Sequence, residues 1–296
     1  MKTMPFHAIF SISINKLQSD TYKIWKLPEI SVLEKEKRPQ CNPAPTPATG
    51  TRLSKASCPA PGSAEEAAMQ GGLFRAIVGA LIWVTNTRPE ITAAVAALSA
   101  FSSNPGQAHL TAAKRVLRYL KGSRDLGITF SADLPMKLEC WVDADYAGDH
   151  QDGEGKSRSG VLIKIRGAPV SFFSRRQQST SCSTAEAEYQ ALSAAVKELE
   201  WLRTLVKEIG YEQREPTVVH EDNQSAIHMA TREGVSGRSK HVVVRLSHVR
   251  EAIAAKMIKL QWIETTVQEA DLLTKPVAPQ TFTKLSGMIM GDGSAL

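Results

Sequence analysis

The stretch that decides the fold is residues 184–209, which read TAEAEYQALSAAVKELEWLRTLVKEI. Apolar residues recur in it every three or four positions, the spacing of one face of an α-helix. Gly210 follows at the position where a glycine ends many helices. We expect this long helix to connect two strands of one sheet. Its apolar stripe consists of Leu192, Ala195, Val196, Leu199, Leu202, Val206 and Ile209.

Strand patterns lie on both sides of this helix. Before it, residues 137–145 and 159–174 predict three strands, the last two joined by the turn residues Gly167-Ala168-Pro169. A polar loop over 148–159 separates the first two strands. After it, we expect a strand at 217–221, a short helix at 223–232, a helix at 241–256, a strand at 257–263 and a last helix from about residue 268. The order predicts an α/β fold, a mixed five-stranded sheet flanked by helices.

The upstream part of the chain has a different character. Helical spacing predicts three helices at 64–84, 90–103 and 107–122. Six prolines within 39–63 predict a linker or extended segment, and residues 1–37 give no assignable element. We therefore expect a poorly ordered or truncated segment at 1–63, a small helical part at 64–130, the α/β domain at 137–280 and a tail at 281–296.

Composition narrows the class of protein only slightly. The net charge of +6 suits a polyanionic partner, although many basic proteins bind no nucleic acid. The four cysteines form no Cys-x-x-Cys pair, which disfavours structural zinc and a disulfide framework. No apolar run approaches the roughly 20 residues that span a bilayer. We expect an intracellular protein, in the cytoplasm, a virus-like particle or the nucleus.

Acidic residues mark the predicted ends of several elements. Asp143 and Asp222 each follow a strand, where α/β sheets commonly bind ligands. Glu188 lies four residues before Leu192, on the sheet-facing side of the long helix. A carboxylate there is costly unless a cation or hydrogen bonds compensate it. Asp271 is expected to begin the last helix. Four such oxygen donors could hold two divalent cations.

Each of these residues also has a purely structural interpretation. Glu188 could favour the helix dipole, and Asp222 could cap the short helix that follows it. Asp145 shares a face with Asp143 and is its rival as a ligand from the first strand. Asp271 alone would be a helix cap.

Five short motifs follow one another in the second half of the chain: 143–149 (DADYAGD), 183–192 (STAEAEYQAL), 222–227 (DNQSAI), 239–241 (SKH) and 270–276 (ADLLTKP). In order and approximate spacing they resemble the motifs of the ribonuclease H domain in the Pol polyprotein of copia-type LTR retrotransposons. Four more motifs lie upstream: 74–81 (FRAIVGAL), 87–91 (TRPEI), 103–105 (SNP) and 114–122 (KRVLRYLKG). These resemble the thumb and connection region at the end of the same polyprotein's reverse transcriptase.

The resemblance implies an endoribonuclease that cleaves the RNA strand of RNA–DNA hybrids with two Mg²⁺ (or Mn²⁺) ions. It implies that Asp143 bridges both ions, with Glu188 and Asp222 on one and Asp271 on the other. Expected partners are the hybrid and the rest of the Pol polyprotein, with no membrane and no small-molecule cofactor. The basic candidates for contact with the nucleic acid backbone are Arg158, Arg175, Arg176 and Lys240.

Two departures limit what the resemblance implies. The polymerase signature Tyr-x-Asp-Asp does not occur, so DNA synthesis is not expected. The loop before Asp271 lacks the histidine usual in cellular and retroviral ribonucleases H; His241 or His248 could replace it, although a structural role suits both. The alternative function is a catalytically inactive relic of a retrotransposon that binds nucleic acid.

Overall fold

A computed structural model describes residues 22–24, 42–51, 53–149, 155–232 and 240–291 of the 296-residue chain. Five strands form the main sheet in the order β5-β4-β3-β6-β7, and β1 pairs antiparallel with β2. In the main sheet β3, β4 and β5 are antiparallel neighbours, whereas β6 runs parallel to both β3 and β7. The strands are β1 (Tyr22–Ile24), β2 (Ile128–Phe130), β3 (Leu138–Asp149), β4 (Lys156–Ile165), β5 (Ala168–Arg176), β6 (Thr217–Glu221) and β7 (Ile258–Trp262).

Eight α-helices lie within the described ranges. The helix at Thr184–Glu208 makes the long connection between β5 and β6, as the sequence predicts. The helices are α1 (Ala64–Met69), α2 (Leu73–Thr85), α3 (Thr92–Ser99), α4 (Gln107–Gly122), α5 (Thr184–Glu208), α6 (Gln224–Thr231), α7 (Lys240–Ala254) and α8 (Pro279–Met290). The expected mixed five-stranded sheet with flanking helices is confirmed. None of the described helices has the length and apolar character that crossing a bilayer requires.

One face of the sheet is covered by α5. The Ser183 side chain accepts a hydrogen bond from the Glu186 backbone N–H at 3.2 Å and so caps the start of the helix. Six of the seven predicted stripe residues are fully buried, and Ile209 is half-buried. They pack on inward-facing residues of β3, β4 and β6, such as Val142 and Val219. This core fixes how α5 lies across the strand ends.

The helices that precede the sheet cover its opposite face. They form a second core with α8, and this core also includes the side chains of Leu162, Leu272 and Leu273. Strand β4 is therefore buried on both faces from Ser157 to Ile165, as expected for a central strand between two layers. The Tyr119 ring meets the Phe282 ring edge-on at 5.3 Å between centroids. The 281–296 region thus contributes a packed helix over its first ten residues.

The described part of the proline-rich segment lies against α4. Arg118 donates to the Asn42 carbonyl at 2.7 Å, and Arg115 donates to the Thr46 hydroxyl at 2.9 Å. Ala44 is buried in the second core. Residues 42–51 therefore pack on the upstream helices and do not form a separate linker. The other domain boundaries stay predictions, and residues 1–21 and 25–41 lie outside the described ranges.

Several predicted elements have different bounds in the structure. The helix predicted at 64–84 is two helices, because Gly72 adopts a left-handed conformation (φ 71°) between them. The helix predicted at 90–103 begins with a 3₁₀ turn at Pro89–Ile91 and ends at Ser99. The strands β3 and β4 extend into the predicted polar loop, where their pairing becomes irregular between Asp145 and Asp149.

The last predicted helix is also different. Instead of a helix from residue 268, the chain forms a 3₁₀ turn at Glu269–Leu273, and α8 begins only at Pro279. Pro276 and Pro279 explain the interruption, because proline disfavours helical backbone in the residue before it. We call residues 269–275 the Asp271 turn.

Candidate active site

Asp143 lies in β3, directly opposite Gly160 of β4. Its side chain is only 2% exposed. The Thr274 hydroxyl donates a short hydrogen bond to Asp143 Oδ2, and the Lys275 ammonium lies 3.6 Å from the same oxygen. The carboxylate is thus buried and oriented from the Asp271 turn. These contacts hold Asp143 at a fixed place in the sheet.

Glu188 reaches the same place from α5. Its side chain is 4% exposed, and Oε2 is buried without a hydrogen-bond partner among the described residues. Burial raises the pKa of Glu188 well above its usual value, and the carboxylates of Glu221, Asp143 and Asp222 raise it further. A buried carboxylate in this state needs a proton or a cation. The helix dipole alone does not account for such an environment.

Asp222 follows β6 and remains half-exposed. The Thr265 hydroxyl donates to its Oδ2 at 2.7 Å, and the Trp262 indole N–H donates to its carbonyl at 3.1 Å. The alternative interpretation of Asp222 as a helix cap is wrong. Asn223 is the N-cap residue of α6, and its side chain accepts from the Ala226 N–H at 3.0 Å. The Asp222 carboxylate is therefore not used to cap α6.

These three carboxylates meet at one edge of the sheet. Asp143, Glu188 and Asp222 each offer a ligand oxygen, and these oxygens lie within 4.8 Å of one another. Carboxylate oxygens are the donors that Mg²⁺ and other hard divalent cations prefer. The orphaned oxygen of Glu188 is a group that a cation would satisfy. The residues therefore fit a divalent metal ion.

Asp271 is adjacent but is not one of these three. It lies in the 3₁₀ turn, where its side chain is 5% exposed and pairs with the Lys275 ammonium at 2.8 Å. Burial, followed by the charge of Asp143, raises the pKa of Asp271 to about 7, although Lys275 opposes this shift. The Lys275 charge thus bridges Asp143 and Asp271. The role of Asp271 as a fourth ligand stays a prediction.

Gly160 allows the Asp271 turn to approach the sheet. A Cβ atom at this position would lie 2.7 Å from Thr274 Cγ2 and 2.9 Å from the Ala270 carbonyl oxygen. Both distances are well below ordinary van der Waals contact. Because Gly160 has no side chain, Thr274 and Asp271 can lie close to Asp143.

Sequence reasoning missed the residues that surround the acidic group. Thr265 was not singled out, and Thr274 and Lys275 stood in the 270–276 motif without an assigned role. Their contacts with Asp222 and Asp143 join distant parts of the chain. Glu221 could have been found, since Thr217, Val219 and Glu221 alternate on one face of β6. Glu221 is fully buried, and burial raises its pKa well above the usual range.

The predicted nucleic acid contacts have different exposures. Arg158 is only 7% exposed and donates to the Ser174 hydroxyl at 3.2 Å. Arg176, its neighbour on β5, is half-buried, whereas Arg175 is exposed with its guanidinium 4.1 Å from the Phe173 ring centroid. The side chain of Lys240 lies outside what the structure describes. Arg175 is thus the candidate whose side chain is open to a ligand.

Of the two histidines considered for catalysis, only His248 has a described side chain, and it does not contact the acidic group. His248 contacts Glu200 at 2.9 Å. Glu200 is twelve residues beyond Glu188 on α5, which corresponds to about 18 Å along a helix. The side chain of His241 belongs to residues 240–246, whose side chains the structure does not describe. The structural interpretation of His248 is the one its contact supports.

A mixed five-stranded sheet with a buried acidic group at its edge defines a ribonuclease H-like domain. No family model matches the chain. The chain is 36% identical over 253 residues to the retrovirus-related Pol polyprotein from transposon TNT 1-94 of Nicotiana tabacum, covering 85% of this chain and 19% of that protein. It is 32% identical over 216 residues to the corresponding polyprotein from transposon RE1 of Arabidopsis thaliana, covering 73% of this chain and 15% of that protein.

The chain belongs to the retrovirus-related Pol polyproteins of copia-type transposons, and it spans less than a fifth of the length of these two relatives. Among solved structures, LC11-RNase H1 in complex with an RNA/DNA hybrid aligns with 47% of this chain and 94% of its own, at 15% identity and a TM-score of 0.34.

Proposed function

We propose that this chain hydrolyses the RNA strand of RNA–DNA hybrids with two divalent cations, Mg²⁺ or Mn²⁺. The observation that carries the proposal is the group formed by Asp143, Glu188 and Asp222, whose ligand oxygens lie within 4.8 Å of one another. Its relatives, which are Pol polyproteins, support the same function.

Different acidic residues would bind the two cations. Asp143 lies close to Glu188 and Asp222 and shares the Lys275 ammonium with Asp271, so Asp143 is the residue that would serve both ions. When bound, such ions lower the pKa of a water molecule and stabilise the leaving 3′-oxygen. Thr274 and Thr265 orient Asp143 and Asp222 through their hydroxyl groups. Oriented ligands keep the site close to its working geometry before substrate arrives.

Lys275 places a positive charge beside the carboxylates of Asp143 and Asp271. Its pKa is raised above the usual value because the carboxylates of Asp143 and Asp271 outweigh the effect of burial. It therefore stays charged at neutral pH and keeps these two carboxylates close together. A phosphate that enters the site meets this ammonium group, and a cationic neighbour favours its approach.

The substrate is read through its backbone. Ribonucleases that recognise A-form-like duplexes contact phosphates and 2′-hydroxyl groups rather than base edges. Arg175 projects from the edge strand β5, one residue from the row that contains Ser174, Gly160 and Asp143. We assign its exposed guanidinium to a phosphate of the hybrid. The assignment of Arg158 and Arg176 to the same surface stays a prediction.

A cleavage assay tests the proposal. The full chain is incubated with an RNA–DNA hybrid labelled on the RNA strand and Mg²⁺, beside Asp222→Asn and the control Glu200→Gln, which alters an exposed carboxylate elsewhere on α5. We expect cleavage by the wild type and the control and none by Asp222→Asn. Hybrid binding without cleavage by any of the three folded proteins would favour the inactive, nucleic-acid-binding alternative.

A further inference from the structure

Glu221 is a buried acidic residue to which neither the motifs nor the relatives assign a role. It is the last residue of β6, where Thr217, Val219 and Glu221 are buried in alternation. Val219 belongs to the core beneath α5. Side chains two residues apart in a strand point to the same face, so the Glu221 carboxylate faces the layer of α5, the helix that carries Glu188.

Within the described part of the chain, one oxygen of Glu221 has a hydrogen-bond partner and the other has none. Oε1 accepts from the Asn223 backbone N–H at 3.0 Å, at the start of α6. Oε2 is buried without a partner among the described residues, and the side chain is 0% exposed. Oε2 of Glu188 is in the same condition. The structure thus places two orphaned carboxylate oxygens on facing elements of one site.

A helix-capping role explains only half of this arrangement. Capping uses Oε1, and a neutral side chain with a carbonyl oxygen would serve equally well. Leaving a second carboxylate oxygen buried and without a partner destabilises the folded chain. Neither Glu188 nor Glu221 forms an ion pair with a described lysine or arginine. A cation between α5 and the end of β6 would satisfy both oxygens.

We propose that Glu221 is a fifth carboxylate of the metal site and holds the cation bound by Glu188 through a water molecule of that ion's shell. The proposal rests on the proposed function. Glu221 is not one of the three residues whose ligand oxygens lie within 4.8 Å of one another, which fits an outer position. Divalent cations such as Mg²⁺ keep several waters, and the groups that bind these waters tune affinity. Glu221 is therefore a positioning residue for the ion.

Metal binding measured without substrate tests this role. The full chain is titrated with Mn²⁺ by calorimetry, and its melting temperature is followed in parallel, for the wild type, Glu221→Gln and Asp222→Asn. Glutamine keeps the carbonyl oxygen that accepts from Asn223 but removes the charge. For Glu221→Gln we expect a higher melting temperature without metal and a Mn²⁺ dissociation constant about 10- to 100-fold higher.

Two further variants separate a specific effect from a general one. Glu90→Gln neutralises another buried carboxylate, which pairs with Arg88 at 2.7 Å in the helical part, and should lower the melting temperature but leave Mn²⁺ affinity unchanged. Glu221→Asp keeps the negative charge, but its shorter side chain places the carboxylate farther from the ion. This variant should weaken Mn²⁺ binding without the gain in metal-free stability.

The possible results distinguish this inference from the proposed function. Wild-type Mn²⁺ affinity in both Glu221 variants would overturn the role of Glu221, whether or not the protein cleaves hybrids. Weaker binding in Glu221→Gln and in Asp222→Asn, in a protein that cuts no hybrid, would support Glu221 as part of a metal site and reject the nuclease. A wild type that binds no Mn²⁺ would overturn both.

Discussion

Replacing Gly160 by alanine is expected to displace the Asp271 turn from the sheet. The added Cβ would lie 2.7 Å from Thr274 Cγ2, 2.9 Å from the Ala270 carbonyl oxygen and 2.9 Å from Leu273 Cβ. Ordinary contacts between such atoms are about 3.5–4.0 Å, so the turn has to move by roughly 1 Å. Backbone and inner side-chain atoms make these contacts, and no rotamer change can relieve all three.

The magnitude follows from this displacement. Overpacking of a core by one methyl group costs about 1–3 kcal/mol, which lowers the melting temperature by about 2–4 °C per kcal/mol in a chain of this size. A misplacement of 1 Å in catalytic groups costs about 100-fold in rate. Gly160→Ala should therefore lose far more activity than its modest loss of stability suggests, because Thr274 and Asp271 both leave Asp143.

Thermal unfolding and hybrid cleavage measured on the same preparations check this prediction. The matched control is Gly79→Ala, at an exposed position of α2 where a Cβ would meet nothing within 4 Å. Alanine there should stabilise the helix by up to about 1 kcal/mol without a change in cleavage. A Gly160→Ala protein that melts and cuts like the wild type would refute the argument that this glycine seats the turn.

Three other predictions concern the contacts of the acidic group. Thr274→Val removes the hydroxyl that orients Asp143 and should raise the Mg²⁺ concentration for half-maximal cleavage by about 10-fold; an unchanged Mg²⁺ titration would contradict it. Lys275→Met should lower metal-free stability by about 1–3 kcal/mol, less than for a fully buried pair because 35% of the side chain is exposed, and denaturant unfolding in EDTA measures this loss. The pKa values of Glu188 and Asp271 (the latter about 7) are raised, so the folded chain binds more protons at these groups than the unfolded chain does. Their contribution to metal-free stability is fully present below the unfolded pKa near 4 and is lost as pH rises to about 7. Melting temperatures in EDTA should therefore increase from pH 8 to pH 6, and a flat profile would count against the burial of these carboxyl groups.

The sheet and its long helix could be predicted because their patterns are local. The helical spacing of the six apolar stripe residues from Leu192 to Val206 can be read from this segment alone. All six residues are buried, as predicted. The points where predicted helices are interrupted were harder to predict. A left-handed Gly72 and the 3₁₀ turn that carries Asp271 depend on how neighbouring segments pack, which composition does not encode.

The site shows the same division between local and long-range information. Glu188 and Asp222 stand at ends of regular elements, as expected, whereas Asp143 lies inside β3, which continues to Asp149. The structure brings the three residues together. The residues that orient these carboxylates could not be predicted in the same way. Thr274 contacts Asp143 across 131 positions of sequence, and Thr265 contacts Asp222 across 43. Such pairs become visible only when the chain is folded. The interpretation of Asp222 as a cap failed because its neighbour Asn223 takes that position.

The shared second core links the two halves of the chain in a way that bears on how the molecule could be divided. Leu272 and Leu273 of the Asp271 turn pack in the same cluster as Phe74, Ile91 and Leu98 of the upstream helices. A protease cut near residue 131, followed by dissociation, would expose the apolar underside of the turn that carries Asp271. The ribonuclease H-like domain therefore shares a core with the upstream helices, which cover the apolar side of the Asp271 turn.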